Sequence, residues 1–143
     1  MRVLIVEDER MAQARLAQIL DAHFPDLKVV GMCSSVSGTL EWLRTPGNKA
    51  DIIFMDVELS DGDCFGIFRQ HRVDANVIMT TAYDSYAIKA FEAGSVDYLL
   101  KPIEIQDLER AVSRCRQKTA PVDVEGLLKA LQDSRKPAYR ERY

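Results

Sequence analysis

Five short apolar segments recur along the chain, and each is continuous instead of alternating with polar residues. They are Val3–Val6, Val29–Met32, Ile52–Met55, Val77–Met79 and Tyr98–Leu100. Runs of this length that are rich in β-branched residues are typical of strands covered on both faces. The pattern therefore predicts five buried strands.

Segments with helical periodicity follow each of these runs, because apolar residues three or four positions apart define one face of a helix. These residues are Met11, Leu16, Ile19 and Leu20; Leu40, Trp42 and Leu43; Phe65 and Phe68; Ala87, Ala90 and Phe91; and Ile105, Leu108, Ala111, Val112 and Cys115. We expect the fourth helix to begin with Asp84 as its N-cap and to stop at Gly94. Strand and helix alternate five times, which predicts an α/β fold with a parallel sheet and helices on both of its faces.

Composition narrows the class of protein. The 143 residues carry a formal charge of −3, and 47% are apolar, as in a globular domain with at most a short appendage. Only four consecutive apolar residues precede Glu7 and Asp8, and no apolar run approaches the roughly 20 residues of a membrane span, so we expect a cytoplasmic protein without membrane contact. Cys33, Cys64 and Cys115 match no zinc or disulfide pattern and are expected to be buried.

The pattern of apolar and polar residues changes after Lys118. Ala120–Pro121 interrupts the fifth helix, and a short amphipathic stripe follows at Val124, Leu127, Leu128 and Leu131. The last nine or so residues are basic and aromatic without helical periodicity. We therefore predict one domain over residues 1–118 and a linker over residues 119–143 that contains a short amphipathic helix.

Charged and hydroxyl side chains stand where four of the five strands end. Glu7 and Asp8 follow the first strand, Asp56 the third, Thr80–Thr81 the fourth and Lys101–Pro102 the fifth. Ligands of open parallel sheets bind at the carboxyl ends of the strands. Converging carboxylates repel one another, and Mg²⁺, which prefers oxygen ligands, would relieve that repulsion and allow one carboxylate to attack a phosphoryl group. Each residue alone is as well explained by a helix cap or a turn; the chemistry depends on the set.

Four segments together resemble the receiver domain of two-component response regulators. They read VLIVEDE at 3–9, IFMDVELSDG at 53–62, TTAY at 80–83 and DYLLKP at 97–102. The resemblance covers about residues 1–118. It implies a flavodoxin-like (βα)5 doubly wound parallel sheet with strand order 2-1-3-4-5, in one domain plus the C-terminal linker.

A narrower resemblance concerns TTAYDSYAIKAF at 80–91 and VDYLLKP at 96–102, which are similar to receivers of the LytR/AlgR class. The effector of that class is a LytTR-type DNA-binding domain, and Tyr139–Tyr143 is similar to the run that leads into it. The alternative for these last residues is an ordinary basic tail. On the first interpretation the chain is the regulatory part of a longer protein, which would contact DNA only through an effector absent from this chain.

The receiver resemblance implies a role for each residue of the predicted site. Asp56 is the phosphoacceptor. Mg²⁺ is held by Asp8 and Asp56, by Glu7 mostly through water, and by the backbone carbonyl of Glu58. Glu7 stands where an aspartate is commoner, and its longer side chain should still reach a metal-bound water.

Further roles concern the phosphoryl group and the response to it. Thr81 supplies the hydroxyl that contacts the phosphoryl group, whereas Thr80 is expected to be structural. Lys101 pairs with Asp56 or its phosphate, and its bond to Pro102 is expected to be cis. Tyr98 is the aromatic switch that follows Thr81. Glu58 and Tyr83 are expected to influence the lifetime of the phosphoryl group.

The function implied is a phosphorylation-controlled switch. A sensor histidine kinase supplies the phosphoryl group, the face made by helix 4, strand 5 and helix 5 responds, and a homodimer forms. Such a domain is a phosphoacceptor and not an enzyme, with at most slow autodephosphorylation. The first alternative is a receiver that acts only by docking to another protein, with no DNA-binding effector.

Two less favoured alternatives are an enzyme and a nucleotide- or flavin-binding module. Asp56–Ser60 faintly resembles the Asp-x-Asp signature of Mg²⁺-dependent haloacid-dehalogenase-type phosphatases, although that class places its nucleophile after the first strand. A nucleotide- or flavin-binding module lacks support because no glycine-rich phosphate loop follows any strand.

Overall fold

The computed structural model describes residues 1–83, 85 and 87–117. The predicted N-cap Asp84 and the predicted linker 119–143 lie outside the described residues. The strands are β1 (Arg2–Val6), β2 (Lys28–Cys33), β3 (Ile52–Asp56), β4 (Glu58–Leu59), β5 (Gly62–Asp63), β6 (Asn76–Thr81) and β7 (Asp97–Leu100). The helices are α1 (Arg10–His23), α2 (Val36–Arg44), α3 (Phe65–Gln70), α4 (Ala87–Glu92) and α5 (Ile105–Arg116).

Five of these strands form one parallel sheet in the order β2-β1-β3-β6-β7. Counted among themselves, they have the order 2-1-3-4-5, so the predicted doubly wound sheet is confirmed. The two-residue strands β4 and β5 form a separate antiparallel hairpin directly after β3. The main sheet therefore brings the ends of β1 and β3 side by side.

The core consists of two layers because successive side chains of a strand point to opposite faces of the sheet. In β1, Leu4 and Val6 pack on the layer that contains buried residues of α2, α3 and α4. Val3 and Ile5 pack on the layer formed with α1 and α5. The continuous apolar runs are thus explained by helices on both faces.

Strand β2 departs from the predicted burial. Val30 and Met32 are 43% and 44% exposed, although their segment is as apolar as the others. The reason is position: β2 is an edge strand that pairs with β1 alone. The prediction of burial on both faces was wrong for this strand.

The first helix also differs from its predicted face. Met11 is 81% exposed, whereas Leu16 and Leu20 are buried. At about 100° per residue, Leu16 and Leu20 lie about 140° and 180° around the helix from Met11, so Met11 belongs to the opposite side. A smaller difference concerns Ile105, the first residue of α5, which is 39% exposed at the end of the core-facing stripe.

Two further predictions agree with the structure. Gly94 has a φ of +89° and its N–H donates to the Phe91 carbonyl at 3.0 Å, two residues after α4 ends, as expected of a C-terminal stop.

The three cysteines are free and buried. Burial raises the pKa of Cys64 to about 12, helped by the negative charges of Asp63 and Asp56, so this thiol is unreactive. No helix in the described part of the chain is both long and apolar enough to span a membrane.

Candidate functional site

Three carboxylates meet at the carboxyl edge of the sheet. One oxygen each of Glu7, Asp8 and Asp56 lies within 4.8 Å of the others. Glu7 and Asp56 are buried, with 6% and 5% exposure, whereas Asp8 is exposed. The neighbouring positions of β1 and β3 in the sheet produce this cluster, since Asp56 ends β3 and the other two acids directly follow β1.

Lys101 joins the two buried carboxylates. Its Nζ lies 2.6 Å from Glu7 Oε1 and 3.1 Å from Asp56 Oδ2. Its backbone N–H donates to the Thr81 carbonyl at 2.7 Å, which extends the contact between β6 and β7 beyond the end of β7. The ammonium group is therefore held over the ends of β1 and β3 by a residue that follows β7.

Burial and neighbouring charges shift the pKa values of these three carboxyl groups in different directions. Burial raises the pKa of Asp56 to about 6; the charge of Lys101 opposes the rise and that of Glu7 adds to it. Burial also acts to raise the pKa of Glu7, but the Lys101 and Glu9 N–H hydrogen bonds outweigh it, so this pKa is lowered. The pKa of exposed Asp8 is raised, by partial desolvation and by Glu7. The cluster carries more negative charge than Lys101 can balance.

The donor set fits Mg²⁺, which prefers hard oxygen ligands and commonly binds through one or two carboxylates with several waters. All three candidate side chains offer carboxylate oxygens, and exposed Asp8 leaves the cluster open to solvent on one side. The backbone N–H of Glu58 donates to Asp56 Oδ1 at 3.3 Å, which brings the Glu58 backbone beside the cluster. The Glu58 side chain is exposed.

The predicted hydroxyl and aromatic residues are linked through one loop. Thr81 is 1% exposed, and its Oγ1 accepts the Tyr83 N–H at 3.2 Å. The hydroxyl of buried Tyr98 donates to the Tyr83 carbonyl. The backbone of Tyr83 thus connects Thr81 at the end of β6 to Tyr98 in β7, while the Tyr83 side chain is 52% exposed.

The remaining predicted positions are occupied as follows. Thr80 is buried, is the ladder partner of Asp56, and accepts the Val57 N–H through its carbonyl at 3.0 Å. These are structural contacts within the sheet. The peptide bond between Lys101 and Pro102 is cis.

A family model described as the response regulator receiver domain matches residues 3–113. The chain belongs to this family. Among curated relatives, this receiver is 31% identical over 133 residues to the sensory transduction protein LytT of Bacillus anthracis, covering 90% of this chain and 53% of that protein. It is 37% identical over 130 residues to the transcriptional regulatory protein BtsR of Escherichia coli K12, covering 86% of this chain and 51% of that protein. The LytT match agrees with the LytR/AlgR class expected from the motifs.

Solved structures resemble the same region. The response regulatory domain of mrkE from Klebsiella pneumoniae is 30% identical, with a TM-score of 0.70 over 82% of this chain and 100% of that one. The receiver domain of AraT from Geobacillus stearothermophilus is 28% identical, also with a TM-score of 0.70, over 82% of this chain and 93% of that one. The chain spans about half the length of the curated relatives it matches.

Two polar residues outside the predicted site also hold the elements around it. Gln13 on α1 donates from Nε2 to the carbonyls of Glu7 at 2.6 Å and Cys33 at 3.2 Å, which fastens the ends of β1 and β2 to the helix. No sequence pattern marks it. Asp61 lies within the receiver-like segment 53–62 without an assigned role, yet its carboxylate accepts backbone N–H groups of α2, a contact between distant segments.

Proposed function

We propose that this receiver is a phosphorylation-controlled switch in which Asp56 accepts a phosphoryl group from a sensor histidine kinase in a Mg²⁺-dependent reaction. The observation that carries the proposal is the buried Asp56 carboxylate, which lies 3.1 Å from Lys101 Nζ and beside Glu7 and Asp8. A buried nucleophile with a cationic neighbour and a metal-binding carboxylate pair meets the main needs of phosphoryl transfer, namely positioning and charge neutralisation.

The transfer is a substitution at phosphorus. An Asp56 carboxylate oxygen attacks the phosphorus atom, and the bond from phosphorus to the donor imidazole breaks. The imidazole keeps the electron pair and takes up a proton, while Asp56 becomes an acyl phosphate. With a pKa of about 6, Asp56 is mostly ionised at neutral pH and able to attack.

Each remaining residue then has a defined task. Lys101 neutralises charge on the phosphoryl oxygens. Mg²⁺, when bound by Glu7, Asp8, Asp56 and the Glu58 carbonyl, supplies further charge neutralisation and orients those oxygens. Glu58 and Tyr83, both with exposed side chains near the site, are proposed to control access of water to the acyl phosphate and hence its lifetime.

The response of the domain begins at Thr81. When the Thr81 hydroxyl turns to the phosphoryl group, the Tyr83 N–H loses its present acceptor, and the hydrogen bond from Tyr98 to the Tyr83 carbonyl changes with it. Tyr98 lies in β7, so the α4–β7–α5 face responds. We propose that this face then forms a homodimer.

The proposal extends to the longer protein. LytT and BtsR are named as sensory transduction and transcriptional regulatory proteins, and this chain covers only about half of each. We propose that residues 1–118 form the receiver, that residues 119–143 form the linker, and that a LytTR-type DNA-binding domain follows. This receiver is a phosphoacceptor and not an enzyme.

The test of the site is labelling with acetyl phosphate in the presence of Mg²⁺, followed by mass spectrometry. We expect one phosphoryl group per chain, loss of labelling in Asp56→Asn and with EDTA, and unchanged labelling in the control Asp74→Asn. Asp74 is a suitable control because its side chain is 82% exposed and pairs only with Arg72 among described residues. Persistent labelling of Asp56→Asn would contradict the assignment.

The dimer is tested by size-exclusion chromatography with light scattering. Adding Mg²⁺ and a beryllofluoride mimic of the phosphoryl group should double the mass of the wild-type chain and leave Asp56→Asn unchanged. A wild-type monomer that binds the mimic without dimerising would refute the dimer while leaving phosphorylation intact.

A further inference from the structure

A second polar contact joins the loop after Asp56 to helix α2. Asp61 Oδ1 accepts the Val36 N–H at 2.6 Å, and Asp61 Oδ2 accepts the Ser37 N–H at 3.1 Å. The helix has its own cap as well, since Ser35 Oγ accepts the Gly38 N–H at 2.9 Å. The first turn of a helix has N–H groups without an acceptor inside the helix. In α2, one of them donates to a local serine and two donate to a carboxylate 24 or more residues away.

The neighbouring residue strengthens the contact. Ser60 donates to the Ser34 carbonyl twice, from Oγ at 3.1 Å and from its backbone N–H at 3.4 Å. Hydrogen bonds from Val36 and Ser37 lower the pKa of Asp61, so its carboxylate is charged at neutral pH. The helix dipole also favours a negative charge at a helix N-terminus. Because α2 has no acid in its own first turn, Asp61 supplies that charge from another segment.

The anchored segment belongs to the candidate site. Asp61 lies at the turn of the β4–β5 hairpin, in which Glu58 faces Asp63 and Leu59 faces Gly62. Glu58 begins this hairpin, and its N–H donates to Asp56 Oδ1. The base of the hairpin is closed by the Cys64 N–H, which donates to the Val57 carbonyl at 2.7 Å. A hairpin fixed at both base and turn leaves the Glu58 backbone little freedom to move.

We propose that Asp61 is a positioning residue for the magnesium site: by capping α2 from outside the helix, it holds the β4–β5 hairpin so that the Glu58 backbone stays beside the carboxylates. This inference rests on the proposed function, because the Glu58 carbonyl is a ligand only if Mg²⁺ binds there. Asp61 is not itself one of the clustered carboxylates proposed to bind the metal.

The experiment measures Mg²⁺ affinity apart from stability. Wild type, Asp61→Asn, Asp61→Ala and the exposed control Asp74→Asn are each unfolded thermally in EDTA and across a Mg²⁺ titration. The rise in Tm with metal concentration yields the Kd of the folded protein, because a ligand that binds only the folded state stabilises it by RT ln(1 + [L]/Kd). Labelling by acetyl phosphate is followed in parallel.

We expect Asp61→Ala to weaken Mg²⁺ binding about tenfold, the lower end of the range for residues that support metal ligands. Asp61→Asn, which keeps one acceptor, should show a smaller loss, and Asp74→Asn none. Val36→Pro removes one donor from the helix side at the first helical position, where proline is tolerated, and the preceding Ser35 is already extended; it should weaken binding in the same direction. If Asp61→Ala does not fold, Asp61→Asn and Val36→Pro decide the question.

The opposite result is a lower Tm in EDTA with a Mg²⁺ Kd within twofold of wild type, which would reduce Asp61 to a stabiliser of α2 and overturn the inference. Failure of the proposed function has a different signature, since the wild-type chain would then show no Mg²⁺-dependent rise in Tm and no labelling.

Discussion

Asp56→Asn should stabilise the protein at neutral pH in the absence of metal, even though it removes an ion pair with Lys101. Burial raises the pKa of Asp56 from its ordinary 3.8 to about 6, which means that the folded state favours the protonated form. Because each tenfold change in a proton equilibrium corresponds to about 1.4 kcal/mol, ionised Asp56 lowers the free energy of unfolding by about 3 kcal/mol. Asparagine resembles the neutral acid in shape and escapes this cost.

The direction in which stability changes with pH follows from the number of protons bound by the folded and the unfolded chain. Between pH 3.8 and about 6 the folded protein binds more protons than the unfolded chain, so wild-type stability falls as the pH rises through this window and levels off above it. Urea unfolding in EDTA at pH 7.5 and at pH 3.5 measures the effect. The advantage of Asp56→Asn should be about 3 kcal/mol at the higher pH and close to zero at the lower.

The control and the metal sharpen this test. Asp74→Asn, at an exposed position, should change stability by no more than about 0.5 kcal/mol at either pH. Saturating Mg²⁺ should narrow the gap, since the wild-type carboxylate then has a metal partner. An Asp56→Asn variant no more stable than wild type at pH 7.5 in EDTA, or equally favoured at both pH values, would refute the reasoning.

Three further outcomes are expected. Lys101→Met leaves Glu7 and Asp56 without their cation and should lower the free energy of unfolding by about 2–4 kcal/mol at pH 7. This loss should shrink at acidic pH, where both carboxylates become protonated, and a loss independent of pH would contradict the reasoning. Leu20→Ala, at a fully buried position, should cost about 2–5 kcal/mol in urea unfolding, and a cost below 1 kcal/mol would mean that α1 packs differently. Gly31→Ala places a Cβ 2.6 Å from Trp42 Nε1, so the free energy of unfolding should fall by about 1 kcal/mol. The fluorescence emission of Trp42, the single tryptophan, should shift as well, and unchanged emission would show that residue 31 does not contact the indole ring.

Sequence alone predicted the strands of the main sheet, the helices between them and the charged residues at the strand ends, although not the β4–β5 hairpin. Continuous apolar runs identify β1, β3, β6 and β7 because helices cover both faces of these strands, and a two-residue period is lost when both faces are buried. The acids after β1 and at the end of β3 and the lysine after β7 are local features, visible without knowing the fold. Their convergence needed only the strand order, which the receiver motifs imply.

Tertiary structure decided what local patterns do not encode. Met32 is exposed because β2 lies at the sheet edge, a property of strand order and not of the segment itself. The pKa of Asp56 depends on burial and on Lys101, and the ion pair from that lysine to Glu7 joins residues 94 positions apart. Asp61 looks like a turn residue in the sequence, and only the folded chain brings it to the first turn of α2. Periodicity records which side of an element is apolar, whereas pKa values and caps depend on which distant groups approach, and only packing fixes that.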